Sequence, residues 1–346
     1  MALYKPPVTN DALYRMHLNE NLYGPSPNCF SVLTQISKND FCQYDLSEND
    51  ALINLISKTN AVSSDCILLH NGAADLLQMI VHALTKEDDY ILLPSLGWSY
   101  YYALAEQNKL HYYTYSVTKK DDTFTFALDN LSHYINAKIV FITSPNMPTG
   151  NAVNTEEIIS VAHQLSNSLI IVDQVYYEFS RKKIDINKIL NKCPNILFLR
   201  SFSKYYALAN LRIGYCITSP SIKSFLSGFE PLFKISHLSR KVAYAALKDA
   251  TYYDKIREKI IESREKLYTY INQNTLMKAY KSEANFLYVF TGIYSAQKLQ
   301  DYLEKNGFRI RRFDSDQFVR ISIGEENAME QFLDALQKFI LSTNAL

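Results

Sequence analysis

The sequence predicts an α/β protein with a mostly parallel, seven-stranded type of central sheet, covered by helices on both faces, and a smaller α+β C-terminal domain. Two observations support this fold class. Between residues 66 and 201, short and almost wholly apolar segments alternate with segments whose apolar residues recur at helical spacing. Strands that are apolar throughout are typical of parallel sheets buried on both faces. After Pro220 the pattern changes to long, charged helical stretches followed by short strands.

Length and composition limit the possible classes of protein. The 346 residues can form two hydrophobic cores, and we predict an arm over 1–30, a large domain over 31–230 and a small domain over 231–346. A net charge of +1 gives no indication of nucleic-acid or membrane binding, and no apolar run is long enough to span a bilayer. The five cysteines stand singly, which favours a reducing cytoplasm and predicts no metal site. The first residues lack the apolar core of a secretory signal.

The first 65 residues contain few signals of regular secondary structure. Closely spaced prolines and a glycine predict that the arm is an ordered loop or a linker. A helix is predicted over 31–36, Tyr44 is expected in an irregular segment, and a second helix follows Asn49.

A regular alternation of strands and helices begins at Cys66. Leu76, Leu77, Ile80 and Val81 recur at helical spacing, and Asn154 with Glu157 three residues later is a helix-capping signal. The predicted strands cover 66–69, 90–93, 138–143, 169–172 and 196–199, and the predicted helices cover 73–84, 99–107 and the residues after Asn154.

The last third of the chain predicts a second domain. Helical stretches run over 237–272, and a mixed series of strands and helices follows. That series comprises strands at 285–290, 308–311 and 318–323, a helix at 295–306 and a last helix from Glu326.

Polar residues follow the ends of the apolar strands, and a parallel sheet would gather them at one edge. They are Gly72, Ala73, Ala74, Trp98, Ser144, Asn146, Asp173, Ser201, Ser203 and Lys204. A lysine amine at that edge can bond covalently to an aldehyde, and hydroxyls with Arg212 can hold a phosphate. Pyridoxal phosphate carries both groups, so we hypothesise that the chain is built around this cofactor.

Five motifs resemble those of fold-type-I pyridoxal-phosphate-dependent aminotransferases, most closely the histidinol-phosphate aminotransferase branch. They are NENLYGPSP at 19–27, SPNMPTG at 144–150, VDQVYYEF at 172–179, SFSK at 201–204 with Arg212, and RISIG at 320–324. Their order and spacing cover nearly the whole chain. The resemblance implies the fold-type-I architecture and a homodimer with a shared active site.

The resemblance also implies roles for the cofactor-binding residues. Lys204 would hold the cofactor covalently and then act as base and acid, Asp173 would pair with the pyridine nitrogen, and Tyr176 with Asn146 would reach its phenolic oxygen. The phosphate would lie against the backbone of Ala73 and Ala74, the side chains of Ser201, Ser203 and Arg212, and Tyr44 from the other subunit. Trp98 would stack on the cofactor, because Leu96 occupies the usual aromatic position.

Substrate-binding residues follow from the same resemblance. Arg320 would hold a substrate carboxylate, and Arg311, flanked by Arg309 and Arg312, would be a second substrate arginine. Tyr23 would close over the substrate. Leu22, Ser144 and Gln174 depart from the family pattern, and such departures concern the rim that selects the substrate.

The expected activity is transfer of an amino group between an amino acid, such as glutamate, and a keto acid or phosphorylated ketone. One alternative on the same fold is a decarboxylase or lyase acting on a phosphorylated amino acid. A second is a binding or regulatory protein that has kept the fold without the activity. A dinucleotide-binding enzyme is disfavoured because no GxGxxG follows the first strand.

Overall fold

The structure is a computed structural model that describes residues 14–44, 50–313 and 315–344. The strands in these residues are β1 (Tyr14–Met16), β2 (Ile67–His70), β3 (Tyr90–Pro94), β4 (His111–Tyr115), β5 (Val117–Lys120), β6 (Thr123–Phe126), β7 (Ile139–Thr143), β8 (Leu169–Asp173), β9 (Ile196–Ser201), β10 (Gly214–Thr218), β11 (Lys278–Ala279), β12 (Phe286–Phe290), β13 (Phe308–Arg312) and β14 (Phe318–Ser322).

The helices follow most of the predicted segments. They are α1 (Pro27–Leu33), α2 (Lys38–Cys42), α3 (Ala51–Asn60), α4 (Ala73–Leu84), α5 (Ser99–Gln107), α6 (Thr155–Gln164), α7 (Ile186–Lys192), α8 (Pro220–Ser227), α9 (His237–Lys248), α10 (Ala250–Asn274), α11 (Ala296–Lys305) and α12 (Glu326–Asn344). The capping signal at α6 forms as expected, with Asn154 and Glu157 each accepting a hydrogen bond from the other's backbone N–H.

The large sheet has the strand order β2-β10-β9-β8-β7-β3-β4. Neighbouring strands are parallel except at β10, which is antiparallel to both β2 and β9. The predicted α/β class with a mostly parallel seven-stranded sheet is confirmed. Because β2, β3, β7, β8 and β9 run in one direction, their carboxyl ends meet at one edge.

The small sheet has the order β1-β13-β14-β12-β11. β1 belongs to the segment predicted as a loop, yet it pairs in parallel with β13, with Met16 opposite Ile310. A three-residue strand has too few positions to show a period, so the sequence could not reveal it. The arm therefore reaches the small domain, while the domain limits at 30 and 230 stay predictions.

The start of the first helix also differs from its prediction. α1 begins at Pro27 rather than at residue 31, because Ser26 accepts a hydrogen bond from the Asn28 N–H and proline suits the first helical position. No described helix is both long and apolar enough to cross a membrane.

Candidate active site

A cavity of about 430 Å³ lies at the carboxyl edge of the large sheet, where the small sheet and residues 17–19 face it. Most of the predicted site residues line it. They are Ala73, Ala74, Trp98, Asp173, Tyr176, Ser201, Ser203, Lys204, Arg212, Arg311 and Arg320. The other three predicted residues, Tyr23, Tyr44 and Asn146, are not among the lining residues.

Lys204 lies three residues after the end of β9 and lines the cavity. Its Nζ donates a hydrogen bond to the backbone carbonyl of Leu18 at 2.7 Å. Burial, helped by the positive charges of Arg320 and Arg212 and opposed by Glu20, lowers the pKa of Lys204 to about 8. A substantial fraction of this amine is therefore neutral, and hence nucleophilic, at mildly alkaline pH.

Asp173 ends β8 and is 3% exposed. Its Oδ1 accepts a hydrogen bond from the Val175 N–H at 3.1 Å, and its Oδ2 accepts one from the Tyr101 hydroxyl at 2.6 Å. Burial raises the pKa of Asp173 to about 6, although both hydrogen bonds favour the charged form. A carboxylate held this firmly at a buried site is suited to pairing with a cationic ring nitrogen.

Tyr101, one of three consecutive tyrosines in α5, was assigned no role from the sequence. Its side chain is fully buried, and its hydroxyl also lies 3.0 Å from Oγ1 of Thr143. The tyrosine-rich stretch was visible in the sequence, but only the packing of α5 against β7 and β8 reveals which hydroxyl meets Asp173.

A candidate anion site lies where α4 begins. Gly72 caps this helix at φ 87° and has no side chain to bind the first N–H groups, so those of Ala73 and Ala74 have no side-chain cap. A Cβ at Gly72 would lie 2.5 Å from Nη2 of Arg212, so glycine also allows the guanidinium to approach. Ser201 and Ser203 also line the cavity. Helix N-terminus, hydroxyls and guanidinium together are suited to a phosphate.

Tyr176 and Asn146 have different positions relative to the cavity. Tyr176 lines it, and its hydroxyl accepts a hydrogen bond from Nδ2 of Asn19 at 2.9 Å. Asn146 is fully buried beside it, where Nδ2 donates to the Leu96 carbonyl at 2.9 Å and to Oγ1 of Thr149 at 2.7 Å. Oδ1 of Asn146 has no hydrogen-bond partner among the described residues, and its expected contact with the cofactor stays a prediction.

The residue that follows Asn146 in the sequence forms part of the cavity wall. Met147 lines the cavity, and the tight turn of SPNMPTG directs the two neighbouring side chains differently. Trp98 also lines the cavity, whereas Leu96 does not. The indole packs against Tyr100 and Tyr101 at centroid distances of 4.7 and 5.6 Å, which fixes its orientation.

Three arginines of the small sheet line the cavity. Arg311 on β13 and Arg320 on β14 are opposite each other in the register. Nη2 of Arg320 donates a hydrogen bond to the His17 carbonyl. Arg312 also lines the cavity, whereas Arg309 lies outside it with Nη1 3.7 Å from Oε1 of Glu304.

The two remaining tyrosines lie away from this cavity. Tyr23 is partly buried, with the Lys259 ammonium 6.0 Å above its ring, and burial raises the pKa of Tyr23 to about 12. Tyr44 is 72% exposed and stacks on Phe233 at a centroid distance of 4.1 Å. Neither reaches the site within its own chain.

The segment 17–19 contacts several of these groups and was assigned no role from the sequence. The carbonyls of His17 and Leu18 accept from Arg320 and Lys204, and Asn19 donates to Tyr176. An amine, a buried carboxylate and an anion site around one cavity match the aldehyde, ring nitrogen and phosphate of pyridoxal phosphate. The residues present therefore fit this cofactor.

Comparisons with known proteins agree. Residues 20–336 match the sequence model of aminotransferase class I and II. The histidinol-phosphate aminotransferase of Methanocaldococcus jannaschii is 29% identical over 96% of this chain and 91% of its own. The crystal structure of histidinol-phosphate aminotransferase from Sinorhizobium meliloti with pyridoxal 5′-phosphate superposes with a TM-score of 0.87 at 25% identity, over 96% of this chain and 92% of that one.

A further solved structure, L-threonine-O-3-phosphate decarboxylase from Porphyromonas gingivalis, has the same fold, with a TM-score of 0.80 at 18% identity over 94% of this chain and 99% of its own. The family match covers most of the chain and accounts for the cofactor, which is pyridoxal phosphate. The chain belongs to the class I and II aminotransferases and is a pyridoxal-phosphate-dependent transaminase.

Proposed function

We propose that this enzyme exchanges an amino group between an amino acid, such as glutamate, and a phosphorylated amine and ketone pair of the histidinol-phosphate type. One observation carries the proposal. Lys204 and Asp173 line the same cavity as Arg311 and Arg320. The lysine and the aspartate suit amino-group transfer, and the two arginines can bind a doubly anionic substrate. The names of the similar enzymes support the same substrate class.

Each side chain has a defined task in this proposal. Bound pyridoxal phosphate supplies an electron sink. Lys204 attaches the cofactor and then carries a proton between two carbon atoms, while Asp173 keeps the ring nitrogen charged. The start of α4 with Ser201, Ser203 and Arg212 anchors the phosphate.

Substrate positioning is proposed for the small-domain side of the cavity. Arg320 is 6% exposed and its guanidinium already donates to a carbonyl oxygen, so a substrate carboxylate can replace the His17 carbonyl as its acceptor. Trp98, which is partly buried, and Tyr176, which is buried, shape the wall around the ring and limit access of water.

Replacing Tyr101 by phenylalanine is expected to weaken binding of pyridoxal phosphate about tenfold, because Asp173 loses the hydrogen bond that orients Oδ2. The dissociation constant, measured by equilibrium dialysis, tests this. Tyr115→Phe is the matched control, since Tyr115 is also buried but donates its hydroxyl to the Phe141 carbonyl at 2.9 Å. Equal weakening in both variants would show that Tyr101 only supports packing.

The proposed activity is tested by mixing the loaded enzyme with a panel of amines that includes L-glutamate, L-histidinol phosphate and O-phospho-L-threonine. A transaminase converts the cofactor stably to its amine form, and the absorbance stays changed until a keto acid is added. Release of carbon dioxide with return of the initial spectrum would instead favour the decarboxylase alternative. No spectral change with any amine would refute the proposal.

We propose in addition that the enzyme is a cytoplasmic homodimer, with Tyr44 approaching the cofactor phosphate of the partner copy. Support comes from free thiols and from exposed apolar side chains around Tyr44, namely Phe41, Leu232 and Phe233. Light scattering should give twice the chain mass, and Tyr44→Phe should weaken cofactor binding. A fully active monomer is the contrary outcome.

A further inference from the structure

Every polar atom of Asn19 has a hydrogen-bond partner within the protein. The residue is 1% exposed, its backbone N–H donates to Oγ of Ser322 at 3.0 Å, and its carbonyl accepts from Nδ2 of Asn285 at 3.1 Å. Its side-chain Oδ1 accepts from the Ser322 hydroxyl at 2.7 Å, and its Nδ2 donates to Tyr176 at 2.9 Å. Its φ of 55° lies in the left-handed region, where asparagine is tolerated better than most residues. These bonds join residue 19 both to β14 and to the segment that follows β8.

The bond to Ser322 also determines where the preceding carbonyl points. The peptide bond between Leu18 and Asn19 is trans, so its C=O and its N–H lie in one plane and point in opposite directions. The N–H is bound to Ser322, and the C=O accepts the hydrogen bond from Nζ of Lys204 at 2.7 Å. Fixing residue 19 therefore aims the Leu18 carbonyl at the lysine amine.

The amine of Lys204 thus meets a backbone carbonyl rather than a carboxylate. Asp173 is the only carboxylate among the described residues that line the cavity, and its two oxygen atoms already accept from Val175 and Tyr101. A neutral amine that donates one N–H to a fixed carbonyl loses its freedom to rotate, and its lone pair points away from that carbonyl. The Leu18 carbonyl is therefore suited to orienting the amine for taking up a proton.

We propose that the Leu18 carbonyl holds the Lys204 amine whenever the amine is not bonded to the cofactor, and that Asn19 is the positioning residue that fixes this carbonyl. The inference rests on the proposed function, in which Lys204 leaves the cofactor to carry a proton. The carbonyl keeps the released amine at one place in the cavity, so each proton transfer begins from the same geometry. Asn19 acts through Leu18 and does not need to touch the reacting atoms.

The test measures how the attachment of pyridoxal phosphate to the cofactor-free chain depends on pH in Asn19→Gly, Ser322→Ala and a control. Glycine accepts the positive φ of residue 19 but lacks the anchoring side chain, and Ser322→Ala removes the acceptor of the peptide N–H. A carbonyl acceptor stabilises the charged amine, so its loss should let the neutral amine form at lower pH and lower the midpoint of the profile by about one pH unit. Ser168→Ala should leave the midpoint unchanged, because Ser168 is also buried but donates to the Ala137 carbonyl at 2.6 Å outside the cavity.

Single-turnover kinetics of the loaded variants with L-glutamate are the second measurement, and both variants should bind the cofactor but react about tenfold more slowly. An unshifted midpoint in the folded variants, an upward shift, or an equal shift in Ser168→Ala would overturn the proposal. A folded variant that takes up no cofactor would also overturn it, since a positioning residue does not hold the cofactor. If thermal unfolding shows that one variant is not folded, the other decides. Attachment needs no substrate, so if the wild type transfers no amino group from any amine, the proposed function fails while the midpoints still decide the role of Asn19.

Discussion

Replacing Lys204 by alanine is expected to abolish the visible absorption of the cofactor-loaded enzyme and to lower the rate of amino-group transfer by at least about a thousandfold. Two losses combine in this variant. The covalent attachment of the cofactor disappears, and so does the group that carries a proton, which alone contributes roughly 10²- to 10⁴-fold. Absorbance after dialysis against pyridoxal phosphate, followed by single-turnover kinetics with L-glutamate, measures both effects.

The chain contains a matched control for this change. Burial lowers the pKa of Lys234 to about 8, as it does for Lys204, but Lys234 does not line the cavity. Lys234→Ala should keep the absorption and the activity. A Lys204→Ala protein that remains coloured, or a Lys234→Ala protein that loses its colour to the same extent, would remove Lys204 from its proposed position.

The lowered pKa of Lys204 leads to a pH dependence as well. Only the neutral amine can attack the aldehyde, so attachment of the cofactor to the cofactor-free protein should accelerate as the pH rises and should level off above about 8. An unperturbed lysine would continue to accelerate to about pH 10.5. Stopped-flow absorbance between pH 6 and pH 10 distinguishes the two profiles.

The part of the site that sequence reasoning located best lies at the ends of the large-sheet strands. Asp173 and Lys204 follow apolar segments that are recognisable without a structure, and a parallel sheet must bring such strand ends to one edge. The orientation of side chains within a turn could not be predicted in this way: Met147, which was given no role from the sequence, lines the cavity.

Contacts between segments far apart in the chain could not be predicted from the sequence. Tyr101 meets Asp173 across 72 positions, and Arg320 meets the carbonyl of His17 across 303. No local pattern encodes such a pairing, since it depends on how α5 and β1 pack after the sheets have formed. β4 was missed for a different reason: it is an edge strand that exposes most of its residues, so it lacks the apolar run by which β2, β3, β7, β8 and β9 were identified. β10 was missed as well.

Asp173→Asn is expected to slow amino-group transfer by at least about a hundredfold, while leaving the shape of the cavity nearly unchanged. An amide cannot stabilise a protonated ring nitrogen as a carboxylate does, so the cofactor becomes a weaker electron sink. A loss smaller than tenfold, or about 1.4 kcal/mol, would contradict the role of Asp173. Glu178→Gln is a suitable control, because burial also raises the pKa of this carboxyl and Glu178 does not line the cavity.

The same variant should reveal by how much the buried carboxylate lowers the free energy of unfolding of the cofactor-free protein. The pKa of Asp173 is about 6 in the folded chain against an ordinary 3.8, so the folded state holds this proton more tightly than the unfolded state. Ionisation of Asp173 therefore leaves the free energy of unfolding unchanged below about pH 4 and lowers it as the pH rises to 6. Above that pH the free energy of unfolding stays lower by up to about 3 kcal/mol. Asp173→Asn lacks this loss.

Urea unfolding of cofactor-free wild type and Asp173→Asn should thus show a stability difference that shifts in favour of the variant between pH 4 and pH 8. Adding pyridoxal phosphate should reverse the order at pH 8, because a charged ring nitrogen compensates the buried carboxylate and cannot compensate an amide. A stability difference independent of pH would mean that burial does not destabilise the charged carboxylate of Asp173. Reversal by the cofactor would connect the destabilising carboxylate directly to the ring that it is placed to bind.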